Sequence, residues 1–148
     1  MKRAVIGVGS PFGKDQFGWR VADELQSSGQ VTGVEYLKLD RPGISLLDEM
    51  KRYQQVVLVD ALLLDEADKG VLVLDRHALI QQAQQGLSSH ALGVGEVIAL
   101  GSALGDLPEQ LNLVGISATS VPFPIPYESV RQAVHEIVNL LNQGTSIC

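Results

Sequence analysis

The stretch AVIGVGSPFGKDQFGWRVADEL, residues 4–25, changes its period halfway along, and that change decides the fold. Ala4 to Val8 is a short apolar run, rich in β-branched residues and ending in glycine, and reads as a buried strand. Gly9 to Lys14 is a loop. From about Asp15 the apolar residues Phe17, Val21 and Leu25 recur every four positions, the spacing of one helix face. Asp15 is placed to cap that helix, which should end near Ser27 to Gly29. A strand passing through a tight loop into a helix is the first half of a βαβ unit.

The same alternation continues outward. Val34 to Leu39 alternates as a strand, Pro42-Gly43 breaks the chain, and Ile44 to Tyr53 places Ile44, Leu47 and Met50 on one helical face. Val56 to Val59 is apolar at every position, as in a central strand covered on both faces, and Asp60 ends it. Gly70 to Leu74 reads as another strand, and the Gln-rich stretch Gln81 to Gln85 as a helix end. Leu92 to Leu104 carries Val94, Val97, Ile98, Gly101 and Leu104 at helical spacing, and Leu111 to Ile116 is a strand. In the last helix, about Glu128 to Leu141, Val130, Val134, Ile137, Val138 and Leu141 face inward while Arg131, His135, Glu136 and Asn139 face solvent. Strands that alternate with helices are joined by right-handed crossovers. The expected fold class is α/β: a three-layer α/β/α sandwich of about five mostly parallel strands with helices on both faces, one domain over residues 1–148.

Composition narrows the function. A chain of 148 residues with 45% hydrophobic and 19% charged residues suits a folded protein with one sizeable core. Its formal net charge of −6, with no cluster of lysine and arginine, argues against nucleic acid as a partner. Cys148 is the single cysteine, so no internal disulfide forms and nothing points to an oxidising compartment. The apolar run after Met1-Lys2-Arg3 is too short and too glycine-rich for a signal peptide or a membrane span. The expectation is therefore a cytoplasmic protein with no membrane partner.

Open α/β sheets gather ligands beyond the carboxyl ends of their strands, where loops converge. Asp15, after the first strand, and Asp60, at the end of the third, both belong there. Asp60 interrupts apolar sequence, VVLVD followed by ALLL, so its carboxylate needs a cation or a hydrogen-bond donor; capping a helix or accepting buried hydrogen bonds would also serve. His90, in Ser88-Ser89-His90 before a helical run, is placed either to bring an imidazole over the sheet edge or to stand at the surface as an ordinary capping residue. Two carboxylates and one imidazole can hold a divalent transition metal and leave coordination positions open. His77, in a polar turn, and His135, on a solvent face, are weaker candidates. Gly7-x-Gly9 with Gly13 and Asp40 partly matches a dinucleotide fingerprint, but Phe12 occupies the third glycine position and Asp15 would repel a pyrophosphate. Ser10 has no nucleophile-elbow pattern around it.

Four segments, GVGSPFGKDQFGWRVADEL, VVLVDALL, SSHALGVGEVIALGSALGDLP and LNLVGI, span residues 7–116 and together resemble the hydrogenase maturation protease family. The family's opening motif, Gly-x-Gly-Asn, a spacer, two acids, then a glycine three residues beyond the second, fits here with Asp15 ahead of Gly18. The resemblance implies a loop one residue shorter than usual, with Asp15 as ligand, Lys14 in place of the first acid and Ser10 in place of asparagine. Asp60 matches the acid of the Val-Asp-Ala segment, and His90 the histidine of the Ser-x-His segment that precedes Leu107-Pro108-Glu109. Asp40-Arg41-Pro42-Gly43 departs from the family's glycine-threonine turn.

What this resemblance implies is an endopeptidase that removes the C-terminal extension of the nickel-loaded large-subunit precursor of a nickel-iron hydrogenase. Asp15, Asp60 and His90 would be both metal ligands and catalytic residues, with nickel presented by the substrate and other divalent metals able to occupy the site. The alternative is a non-catalytic metal-binding assembly chaperone for a hydrogenase subunit. Pro122, Pro124 and Pro126 favour an extended, semi-rigid contact loop over Thr119 to Tyr127.

Overall fold

The computed structural model describes residues 1–63, 70–89 and 93–143. Its strands are β1 (Arg3–Gly9), β2 (Glu35–Asp40), β3 (Gln55–Leu63), β4 (Val71–Leu74), β5 (Ser88–Ser89) and β6 (Gln110–Ser117). Its helices are α1 (Phe17–Ser28), α2 (Ser45–Met50), α3 (Arg76–Gln84), α4 (Val94–Leu104) and α5 (Tyr127–Gln143), with a 3-10 turn, Gly13–Gln16, leading into α1. The main sheet runs β2-β1-β3-β6-β4, and β5 adds a short antiparallel pair to β3. β1, β2, β3 and β6 are parallel, so their carboxyl ends share one edge.

β4 lies antiparallel against β6 at the far side of the sheet. Sequence length gives the reason: only six residues, 64–69, separate Leu63 from Gly70, whereas a parallel return needs a crossover of about a dozen residues or more. The five main strands are thus mostly parallel, with one reversed edge strand.

Period-two alternation along the central strands sends their side chains into two apolar layers. Ile6, Val8, Leu58 and Leu62 pack with Leu46, Met50, Leu79 and Ile98, which places α2, α3 and α4 on one face. Val5, Val57 and Val59 pack with Phe17, Val21, Leu25, Val130 and Ile137, which places α1 and α5 on the other. Because β3 is covered on both faces, every residue from Gln55 to Leu62 is buried. This accounts for the unbroken apolar run from Val56 to Val59. The result is the expected three-layer α/β/α arrangement. Among the described residues no helix is long and apolar enough to cross a membrane.

Three local expectations are corrected. Asp15 does not cap α1: it sits inside the 3-10 turn, Gln16 precedes the helix, and Asp15 takes a hydrogen bond from Ser10 instead. Asp60 does not end its strand, because pairing with β6 continues through Ser117 and β5 pairs with Leu62 and Leu63. The segment from Thr119 to Tyr127 is not extended: its start turns back through Ser120 and Val121 amides onto the Ser117 carbonyl, Val121 and Ile125 are buried, the Phe123-Pro124 bond is cis, and Tyr127 already begins α5.

His77 lies in the first turn of α3, exposed, not in a turn between elements. The cap of that helix is Asp75, whose Oδ1 accepts the Ala78 amide at 2.8 Å. Asp75→Ala should therefore lower the free energy of unfolding by about 1 kcal/mol in a urea titration. An unchanged midpoint would show that α3 is held by packing alone.

Candidate active site

The carboxyl edge of the parallel strands carries both Asp15 and Asp60. Asp15 is brought there by a close approach of backbone to backbone. The Ser10 amide donates to the Asp15 carbonyl at 3.2 Å and the Asp15 amide to the Phe12 carbonyl at 3.1 Å, folding the loop into a compact turn over the end of β1. A Cβ at Gly9 would collide with the Asp15 carbonyl oxygen, so the second glycine of Gly7-x-Gly9 is what allows this approach. The turn also contacts β3, the strand that carries Asp60.

Ser10 is nearly fully buried, and its hydroxyl donates to Asp15 Oδ2 at 2.9 Å while accepting from the Phe12 amide at 3.3 Å. It orients one carboxylate oxygen of Asp15, a role distinct from that of a nucleophile. Ser10→Ala should therefore cut the rate of substrate cleavage about tenfold with little loss of thermal stability, since a hydrogen bond to a charged group contributes about 1.5–3 kcal/mol. A cleavage rate equal to that of the wild type would show that Asp15 needs no such support.

Asp60 is 0% exposed. By alternation with Leu58 and Leu62 it points to the face covered by α2, α3 and α4. Its Oδ1 accepts the Ala61 amide at 2.8 Å. The register partner of Asp60 on β6 is Gly115, where an added Cβ would come within 2.9 Å of the Asp60 carbonyl oxygen and 3.1 Å of Leu62. Glycine there keeps the neighbouring position free of a side chain. A buried carboxylate with a glycine beside it suits a cation, because an ionised group out of water needs an opposite charge or several donors.

His90 lies outside the described residues, as does Cys148. The backbone of Ser89, the residue before His90, pairs with Leu62, two positions beyond Asp60. Leu62 thus stands between Ser89 on one side and Ser117 on the other. Among the described residues no group of three or more His, Cys, Asp and Glu side chains is assembled for a metal. Asp15 and Asp60 are the two candidate ligands that can be placed, both on this edge, Asp15 in the turn after β1 and Asp60 on the adjacent strand β3. His135 is exposed on α5, on the solvent side of the helix as its position in the pattern indicates.

Two basic residues near the edge take roles that the sequence did not reveal. Lys14 Nζ donates to the Ala118 carbonyl at 2.6 Å and so ties the turn after β1 to the loop after β6. Arg41 follows β2 with a left-handed φ of 43°, a conformation that costs a non-glycine residue about 1 kcal/mol or more. Its amide donates to the Gly9 carbonyl at 2.9 Å, and its Nε meets Asp40 Oδ1 at 2.7 Å. The hydrogen bond that Arg41 donates to Asp40 and the Asp40 charge hold the Arg41 guanidinium above the usual arginine range, with a smaller contribution from Asp15. Asp40 thus pairs with the neighbouring Arg41 at the surface of the edge.

The mostly parallel sheet flanked by helices on both faces is a fold shared with hydrogenase maturation proteases of known structure. The structure of the hydrogenase maturating endopeptidase HybD from Escherichia coli superposes with a TM-score of 0.78 over 97% of this chain and 94% of that one, at 23% identity. The hydrogenase 2 maturation peptidase of a Thaumarchaeota archaeon matches with a TM-score of 0.55 over 98% of both chains, at 26% identity. In sequence, the hydrogenase 2 maturation protease of Escherichia coli (strain K12) is 26% identical over 124 residues, 82% of this chain and 76% of the relative. The hydrogenase maturation protease family profile matches residues 19–143, and the chain belongs to that family of peptidases. That match takes in Asp60 and His90 and begins just after Asp15.

Proposed function

We propose that this endopeptidase removes the C-terminal extension of the nickel-loaded large-subunit precursor of a nickel-iron hydrogenase, with Asp15, Asp60 and His90 as its metal-contacting and catalytic residues. The observation that carries the reading is the fully buried carboxylate of Asp60 beside Gly115, on the same edge as an Asp15 oriented by Ser10. Nickel is part of the substrate, delivered in the precursor and met by the two carboxylates and the imidazole; another divalent metal could take the same donors. A metal so held supplies Lewis acidity beside the scissile bond.

The chain's own residues divide the remaining work. Asp60 provides a fixed negative charge whose position is set by the Ala61 amide and the central strand. Asp15, on a turn pinned by Ser10 and Lys14, supplies the second carboxylate from across the edge. When a carboxylate is not engaged by a cation it is a stronger base and can accept a proton from water. The two aspartates are therefore suited to recognising the charged centre and to assisting attack on the peptide bond beside it.

The test is incubation of the precursor with the wild type and with Asp15→Asn, Asp60→Asn and His90→Ala, following both cleavage and complex formation. Cleavage by the wild type and its loss in all three variants is the expected result. Complex formation without any shortening of the precursor by the wild type would replace the peptidase with an assembly chaperone.

A further inference from the structure

The chain has three phenylalanines, and two of them stand in water. Phe17 is fully buried under α1, whereas Phe12 is 67% exposed and Phe123 59%. Two aliphatic side chains are similarly placed, Ile44 at 62% and Leu63 at 45%. Single exposed hydrophobic residues are ordinary, but these four share one location. Phe12 follows β1, Ile44 follows β2, Leu63 closes β3 and Phe123 follows β6, so each parallel strand presents one large apolar side chain at its carboxyl end. The candidate carboxylates Asp15 and Asp60 lie on the same edge.

Beside Phe123 the surface is concave. Gly13 and Gln16, from the turn that carries Asp15, face Phe123, Pro124 and Ile125 across a cavity of about 330 Å³. The wall formed by the loop after β6 is held in place. Arg20 donates to the Ile125 carbonyl at 3.0 Å, Lys14 donates to the Ala118 carbonyl, and Val121 and Ile125 are buried beneath. A wall fixed before binding loses little conformational entropy when a partner arrives.

From this arrangement we infer that Phe12, Ile44, Leu63 and Phe123 form an apolar collar on which the folded precursor docks around its processing site. This rests on the peptidase reading above and adds the surface by which the substrate protein is recognised. Charge supports that occupant. The collar shares its edge with the carboxylates of Asp15 and Asp60 on a chain of net charge −6, which fits a partner that presents an apolar surface together with a cationic group. A second copy of this chain would bring a second pair of carboxylates against the first.

The experiment compares Phe12→Ser/Phe123→Ser with Leu104→Ser. Leu104 is as exposed as Phe123, at 59%, but it ends α4, away from the carboxyl edge. With the precursor as substrate, the double variant should raise KM about tenfold or more with kcat within about twofold of wild type, and Leu104→Ser should change neither. Binding of the precursor to each variant in an Asp60→Asn background is measured alongside, together with sedimentation of the wild type alone. Unchanged KM and binding in the double variant overturns the collar and leaves the peptidase reading intact. Weaker binding by the double variant, beside a wild type that binds the precursor but never cleaves it, would keep the collar and remove the peptidase reading. Self-association of the wild type, lost in the double variant, would assign the collar to a second copy and overturn it as a substrate surface, as would a wild type that neither binds nor cleaves.

Discussion

Asp60→Asn should lower kcat/KM for precursor cleavage by roughly a thousandfold, equivalent to about 4 kcal/mol of transition-state stabilisation. The substitution keeps shape and an oxygen able to accept the Ala61 amide, so β3 and its pairing with β6 are undisturbed. What it removes is the negative charge, at a side chain with no exposure to solvent. Asparagine has nearly the same volume, so the packing around β3 should be retained and the urea midpoint should stay close to that of the wild type. The paired result, near-total loss of cleavage with a urea midpoint close to wild type, separates a functional carboxylate from a structural one. Retained cleavage would remove Asp60 from the chemistry, and loss of both activity and stability would make it a structural acceptor.

The second large effect concerns the fold that carries the site. Gly18→Ala should destabilise the protein by about 3 kcal/mol or more, near the upper end of overpacking costs. An added Cβ would collide with the Val59 carbonyl oxygen and stand 2.7 Å from that of Val8 and 3.0 Å from the Val8 amide nitrogen. These are backbone atoms of two central strands, so no rotamer change relieves the overlap, and α1 would have to lift off the sheet. Because the Asp15 turn leads directly into α1, cleavage should fall with stability. A midpoint within a few tenths of a kcal/mol of wild type would show that the first turn of α1 is free to move.

Much of this was legible in sequence because the governing signals are local. The shift from strand to helix period between Ala4 and Leu25, and the apolar run before Asp60, depend only on neighbouring residues and gave the layers and the central strand. The extent of β3 was not legible, because Leu62 and Leu63 are fixed by Ser117, Ser89 and Ser88 far along the chain. Asp15 carries the side chain of a helix cap, and only the folded loop shows that Ser10 binds it and that a 3-10 turn intervenes. The reversal of β4 could have been inferred from the six-residue spacing, had connection length been weighed against the alternating pattern.

The site was partly legible. Asp60 stood out as a charge inside apolar sequence, and the structure buries it completely. Lys14 could not be placed in advance: its partner is a backbone carbonyl 104 residues away, and carbonyls carry no sequence signature. Arg41 was visible only as a departure from the family's turn. Its left-handed backbone and its link to Gly9 emerge where β2 and β1 end side by side.

The central claim is cut most directly by intact mass spectrometry of the large-subunit precursor, nickel-loaded and nickel-free, before and after incubation with the purified protein. The account predicts a single loss of mass equal to a C-terminal fragment, from the nickel-loaded precursor alone. An unchanged mass for the nickel-loaded precursor would contradict it.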